Sequence, residues 1–323
     1  GALVDKSLVL AEGDPLPRSR LLESTRLFSL DRLAEAGETD AVLLRHAQWL
    51  LPQVEAFDLA SMQCGQTAAL LEQLDAERDN LLHALAWCAG PHGPEAAELG
   101  LRLAAGLITY WSDLGLLSLG VEVTARALDR ARDRPADVVR CKALTWLALM
   151  LRWQGLFERS EAVCIELEAT STQVGYHRGQ GMAQFNRGWM ALESGRLDDA
   201  ERCFLAMREH GRAAGDLHLE GGALSGLVET LERRDRKEEA GACFQALLAT
   251  RRKAGNGYNL ALALHGAADR SRSAGDLAGS RGHLREALQL VRGAGSRPLL
   301  CSQLSATADL LSAQARWEPA TML

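Results

Sequence analysis

The sequence holds the residue types of several catalytic chemistries but not their spacings. His83, His177, His210, His218, His265 and His283 are scattered, and no H-E-x-x-H sets two imidazoles on one helical face around a metal ion. Serine is plentiful, yet no G-x-S-x-G elbow occurs, and no cysteine stands in a pattern with histidine and an acid that would activate a thiol. The seven cysteines, Cys64, Cys88, Cys141, Cys164, Cys203, Cys243 and Cys301, are odd in number and never form C-x-x-C. Zinc is therefore not expected, and reduced thiols in the cytoplasm are. The glycines between Gly115 and Gly120 and those in GAGSRP precede no strand-loop-helix unit, so no dinucleotide site is expected. No G-x-x-x-x-G-K-[ST] loop is present to cradle phosphates. These residues predict a chain that is not an enzyme, needs no metal or cofactor of its own, and acts by binding.

Binding residues have to be positioned by something, and composition says what. With 47% hydrophobic and 24% charged residues, the 323-residue chain can bury a large core. Only 8 prolines and 5% aromatics beside abundant Ala, Leu, Arg and Glu favour helix over sheet. A net charge of -6 offers no general attraction to DNA, RNA or anionic lipid. No apolar run reaches the roughly 18 residues needed to cross a bilayer, and GALVDKSLVL lacks the features of a signal peptide, so a cytoplasmic location without membrane contact is expected.

The helices are arranged by a 40-residue period. Gly115, Gly155, Gly195, Asp235, Gly275 and Ala315 stand 40 apart, and five residues after each comes a small residue: Gly120, Ser160, Ala200, Ala240, Ser280 or Ala320. Four residues further on lie Thr124, Cys164, Phe204, Phe244 and Leu284, while Ile108, Ala148, Gly188, Val228, Ala268 and Ala308 precede the turn positions by seven. A second ladder, Gly175, Gly215, Gly255 and Gly295, falls midway. Glycine just past a helix end takes the left-handed conformation that closes the last turn, so each ladder predicts helix stops. Stops every 20 residues predict hairpins of two helices, each of about 15 residues. Asp216, Asn256 and Ser296 follow the second ladder directly and are good N-caps for the next helix. Gly188 and Ala200 should let the two helices of one hairpin approach closely, with Phe204 and Met207 filling the gap toward the next.

Small residue, twelve residues, Ala, then four residues and Phe is the hairpin pattern of tetratricopeptide solenoids, and Gly188, Ala200 and Phe204 match it best. The chain resembles that family from about residue 95 to 323, in about five and a half units, with a period of 40 in place of 34. In that family, positions three before, one after and four after the small residue line the concave wall. Carried onto this sequence, the wall comprises Arg152, Phe185, Trp189, Leu192, Glu229, Glu232, His265, Asp269 and Arg272, with Trp153 beside it. Phe185 and Trp189, one helical turn apart, either floor a groove for a peptide, a partner helix or a small ligand, or fill core between hairpins. The charged stretch LERRDRKEEAG reads as a solvated hairpin end.

Residues 1–37 have another texture. SLVLAE, GDPLPR and SRLLES read as strand, turn and strand, and TRLFSLDRLAEAG as an amphipathic helix with apolar positions at 27, 28, 30 and 33, stopped at Gly37. Across 38–94, DAVLLRHAQWLLPQVEAF and LLEQLDAERDNLLHALAWCAG each read as one linking helix, the first kinked at Pro52. The string LVDKSLV, RLLESTRLFSLDRLAEAG, RHAQWLL, LDAERDNLLHALAW resembles the junction in STAND-class signalling ATPases and large ATP-binding LuxR-type regulators, where a winged helix gives way to helical repeats. The resemblance implies the C-terminal part of a winged helix over 1–37. It implies a repeat arm that senses an inducer or protein partner, an ATP- and Mg-binding module upstream in a parent protein, and ligand-dependent self-association of that parent. Direct nucleic-acid contact by this segment is not expected. Two rivals are a pure protein-binding scaffold and the regulatory arm of a kinase or nucleotidyl-cyclase fusion; a third, an active site enclosed by solenoid helices, lacks convergent acid and base groups.

Overall fold

Left-handed backbone recurs along the chain at the ladder positions, with φ of 73° at Gly155, 72° at Gly195 and 82° at Gly275. Asp235 takes the same conformation at φ 57°, the one non-glycine residue with positive φ among those described. Each closes a Schellman turn. The amide of Arg196 donates to the Ala191 carbonyl at 2.8 Å and that of Gly195 to Leu192 at 3.1 Å; Arg236 and Asp235 repeat the pair on Leu231 and Glu232, both at 2.9 Å. The second ladder behaves likewise, and Asp216 and Asn256 cap the helices that follow, accepting from the Leu219 amide at 3.0 Å and the Asn259 amide at 2.9 Å.

These features belong to a computed structural model that describes residues 2–6, 8–12, 18–62, 67–294 and Ser305. The 13–17 turn and the last predicted half-unit, with Gly295, Ser296, Ala308, Ala315 and Ala320, lie outside them. Helix α1 (Ala2–Asp5) leads into the antiparallel pair β1 (Val9–Glu12) and β2 (Arg18–Leu21), in which Val9 faces Leu21 and Glu12 faces Arg18. Helix α2 (Glu23–Ala36) follows and stops on Gly37. Next come α3 (Thr39–Met62), α4 (Ala68–Ala76), α5 (Arg78–Cys88), α6 (Pro94–Gly106), α7 (Ile108–Asp113) and α8 (Leu117–Arg130). Four regular hairpins complete the described chain: α9 (Val138–Trp153) with α10 (Phe157–Gln173), α11 (His177–Glu193) with α12 (Leu197–Ala214), α13 (Leu217–Arg233) with α14 (Lys237–Ala254), and α15 (Gly257–Ser273) with α16 (Leu277–Ala294). The architecture is a tetratricopeptide-like series of helical hairpins with a 40-residue period.

Several details differ from expectation. The repeat helices run 16 to 18 residues, longer than predicted, because the Schellman turn and the next helix need only three residues between them. LLEQLDAERDNLLHALAWCAG is two helices, broken at Glu77. At that break the Asp75 carboxylate accepts from the buried Tyr110 hydroxyl at 2.9 Å and from Arg78 Nε at 2.9 Å, satisfying a hydroxyl that has no access to water. The first predicted hairpin likewise has its leading helix divided at Leu107, where Gly106 lies so close to Val54 that a Cβ would come within 2.6 Å of the valine methyl. Helix α3 does run through Pro52 as one helix, in line with the expectation for that stretch. Helix α2 buries none of its residues, and Leu27 and Phe28, expected on an apolar face, stand exposed.

Packing between hairpins centres on Phe204. Its ring lies between α11 and α13 where both present glycine: a Cβ on Gly188 would approach Phe204 Cε1 to 2.7 Å, and one on Gly226 would come closer still. Phe204 and Ala200 are fully buried, with Met207 nearly so. The expectation for Gly188, Ala200, Phe204 and Met207 holds, and Gly226 completes the slot. Filling that slot with an aromatic ring stabilises the stack by roughly 2–3 kcal/mol relative to an exposed ring.

Candidate functional site

Helix α11 packs against α9 on one side and α13 on the other, so the first helices of successive hairpins form one layer and their second helices another. The predicted wall residues all lie on the first layer, and the structure sorts them into two groups.

The aromatic group is on α11. Phe185 and Trp189 are half-buried and meet edge to face with centroids 6.2 Å apart; Trp189 then meets the core ring of Phe204 edge to face at 5.6 Å. Trp189 Nε1 is buried with no hydrogen-bond partner among the described residues. Leu192, assigned to the same wall, is core: it is buried with Ala191, Ala200 and Phe204 at the end of α11. Both readings of the aromatic pair therefore apply in part, since each ring spends one edge on the core and keeps the rest open.

On α9 the wall is shifted by one residue. Arg152 is only 9% exposed and donates to Glu193 of α11 at 2.6 Å, while Trp153 beside it is 45% exposed. Burial pushes the Arg152 guanidinium below its ordinary value, and Glu193 offsets part of that. Beyond its first turn, the more open residues of α9 are Lys142, Trp146 and Trp153, spaced four and seven apart on one stripe. Lys142 pairs with Asp58 of α3, and Trp146 Nε1, like that of Trp189, is buried and unpaired. The family register had passed over Lys142, Trp146 and Glu193; the Lys142, Trp146, Trp153 stripe was the available signal.

The ionic group lies on α13 and α15. Glu232 pairs with Arg270 across the two helices, and Glu229 accepts from Arg233 Nε at 2.9 Å. Asp269 stands between His265, 3.5 Å away through Nε2, and Arg272 at 3.1 Å. Arg233 also donates to the Leu192 carbonyl at 2.9 Å, tying α13 to the end of α11. Every charged residue assigned to the wall therefore has an ionic partner; the aromatic residues of this layer, Trp146, Trp153, Phe185 and Trp189, lie on α9 and α11, and α15 adds the exposed Leu262.

A cleft of about 660 Å³ lies elsewhere, between α10, α11 and α12, lined by Phe157, Glu161, Arg187, Met190, Arg196 and Cys203. Most of its charges are already matched: Arg187 bonds Glu161 at 2.9 Å and Glu168 at 2.6 Å, and Asp199 holds Arg196 and Arg202, leaving Glu158. The thiols suit packing better than reaction. Burial pushes Cys164 up to about 12 and Cys88 and Cys141 up to about 11, so none is a thiolate near neutrality. Among the described residues no cluster of histidine, cysteine and acids could hold a metal, and no helix is long and apolar enough to cross a membrane.

Comparison with known proteins agrees with the fold. No family model matches the chain. Over 156 residues it is 32% identical to proteins of Mycobacterium bovis and Mycobacterium tuberculosis that are named, provisionally, HTH-type transcriptional regulators. The match takes in 47% of this chain but only 17% of those relatives, so the chain spans about a sixth of their length. Among solved structures it is similar to apo RapI (TM-score 0.56, 14% identity, 77% of this chain and 88% of that one). It is similar also to the apo quorum sensor NprR of B. thuringiensis (0.55, 14%, 93% and 91%) and to a Rap protein in complex with competence and sporulation factor (0.52, 13%, 87% and 94%). At these identities the likeness is one of fold: the chain is built as these tetratricopeptide-like regulators are, and part of its sequence is shared with transcriptional regulators.

Proposed function

We propose that this chain is the sensing and partner-binding repeat arm of a bacterial transcriptional regulator, taking a peptide or protein segment along the layer of α9, α11, α13 and α15. The observation that carries the reading is the Phe185–Trp189 pair. Each ring is partly exposed, and because the buried Trp189 Nε1 has no partner among the described residues, turning the indole toward a ligand carbonyl breaks no hydrogen bond. Aromatic rings that are rigid, half-open and anchored on a core ring are what a binding wall needs, since little side-chain entropy is lost when a ligand covers them. The ion pairs on α13 and α15 then select the polar groups of the ligand. Support from comparison is of the same kind: one neighbour of like fold is a quorum sensor and another was solved with a signalling factor bound.

Within the parent protein we place this arm after a winged helix and an ATP-binding module of the STAND type, as the junction string over residues 3–87 implies. The segment itself is then neither an enzyme nor an ATP binder, and it works by changing the curvature of the hairpin stack when a ligand bridges several units. Selection of a phage-displayed random peptide library against the 323-residue chain tests the binding claim. Enriched peptides should bind Trp189→Ala at least about tenfold more weakly, a loss of about 1.4 kcal/mol, and should bind Ile165→Ala, altered on the second layer, normally. Enrichment of nothing, or of peptides indifferent to Trp189, would overturn it. Calorimetric titration with Mg-ATP should show no binding to this chain; a saturating isotherm would remove the assignment of nucleotide to the upstream module.

A further inference from the structure

The most unusual charge in the molecule lies away from the aromatic wall. Arg251, in the last turn of α14, is 8% exposed. It has no carboxylate and no carbonyl acceptor among the described residues, whereas Arg152, the other arginine buried to this degree, is held by Glu193. Burial lowers its basicity and no neighbouring acid restores it. The nearest candidate, Glu220, is engaged by Arg208 at 3.5 Å and Arg212 at 3.1 Å.

The repeat shows that this arginine is not a packing requirement. At the matching positions stand Ala131, Ser171, Gly211 and Val291, all buried and none charged. In the preceding unit, a Cβ on Gly211 would lie 2.9 Å from the Glu220 amide nitrogen, so the position faces the first turn of the following helix. The Arg251 side chain itself reaches back to α13. There Gly221 makes room: a Cβ on Gly221 would lie 2.9 Å from Arg251 Cζ and Nε and 3.0 Å from one terminal nitrogen. The guanidinium rests on the backbone of Gly221 and finds no acceptor among the described residues. A buried charge without a counter-ion is costly, and a guanidinium fork matches the paired oxygens of a carboxylate or phosphate.

We propose that Arg251, seated on Gly221 of α13, is a binding site for an oxyanion, carried by a ligand as a carboxylate or a phosphoryl group. This site is separate from the Phe185–Trp189 wall and does not depend on what that wall binds.

The test is thermal unfolding of the full 323-residue chain at fixed ionic strength in sodium chloride, acetate or phosphate, for wild type, Arg251→Met and Arg251→Lys. Methionine keeps much of the stem volume and removes the charge; lysine keeps the charge and loses the fork. In chloride, Arg251→Met should melt above wild type, because an uncompensated charge has gone. Phosphate or acetate should raise wild type by roughly 2–5 °C and leave Arg251→Met unmoved. A larger rise in phosphate identifies a phosphoryl site, and an equal rise in acetate a carboxylate site. Arg251→Lys should show less than half the wild-type response, and carries the comparison should the methionine variant not fold. The same response to anions in all three proteins would overturn the proposal, as would a wild type indifferent to every oxyanion.

Discussion

The α11–α12 and α13–α14 hairpins are consecutive copies of one backbone, with helices of 17 and 18 residues in each, yet they have been put to different use. Where α11 shows Phe185 and Trp189 on the inner layer, α13 shows Ser225 and Glu229. Where α12 ends on Gly211, packed against the next helix, α14 ends on Arg251. The core position is a phenylalanine in both, but Phe204 is squeezed between Gly188 and Gly226, whereas a Cβ on Gly266 would stand 3.5 Å from Phe244, an ordinary contact. Identical geometry with divergent faces separates the two demands on the sequence. Turn residues recur from unit to unit; inner-layer residues do not, as the proposed binding role requires.

That separation can be broken most severely at the aromatic slot. Gly226→Ala places a methyl inside the contact distance of the Phe204 ring and should cost about 2 kcal/mol, read as a lower urea midpoint; Gly266→Ala, the same change one unit later, should be neutral or gain about 0.5 kcal/mol from helix propensity. Equal effects would mean the two hairpins pack alike. A smaller difference is expected at the turns, where Gly195→Ala should cost about 1 kcal/mol and Asp235→Gly should gain a similar or smaller amount, since both positions are left-handed. On the inner layer the contrast is in binding: Trp189→Ala should reduce binding of the selected peptides much more than Glu229→Ala, measured by fluorescence anisotropy. The smallest effect concerns pH. Cys88, Cys141 and Cys164 titrate in the folded chain at about 11, 11 and 12, above an ordinary value of 9.0, so folding favours the protonated thiol. That contribution is complete below pH 9 and is lost as pH rises toward the folded values, so the melting temperature should fall through this window, and less steeply in Cys164→Ala.

Much of this architecture could be read without coordinates because the physics of a helix stop is local. A residue that must adopt positive φ is glycine or, at 235, aspartate, and its recurrence every 40 residues announces the hairpins directly. The slot glycine Gly188 was legible for another reason, its place in the hairpin pattern with Ala200 and Phe204. The divided helices at Glu77 and Leu107 were not, because their breaks are imposed by distant partners, Tyr110 on Asp75 and Val54 on Gly106, that no sequence window contains. The inner layer was legible in part. Phe185 and Trp189 were found from register alone, but Leu192 and Arg152 are buried by neighbours that register does not reveal, Ala200 and Phe204 around the leucine and Glu193 on the arginine. Arg251 escaped notice because nothing in a sequence says whether an arginine has a partner.

One property of the turns reaches beyond this chain. Arg196 and Arg236, which follow Gly195 and Asp235, have φ and ψ of -85° and 72° and of -86° and 64°, so the peptide leaves each unit in almost the same direction. Excising residues 196–235 would join Gly195 to Arg236 with no bond, angle or cap out of place, and duplicating them would be equally silent. Such a gene can lengthen or shorten its product by unequal recombination in whole steps, and an arm of new reach arises in one event, ready for its faces to drift toward another ligand.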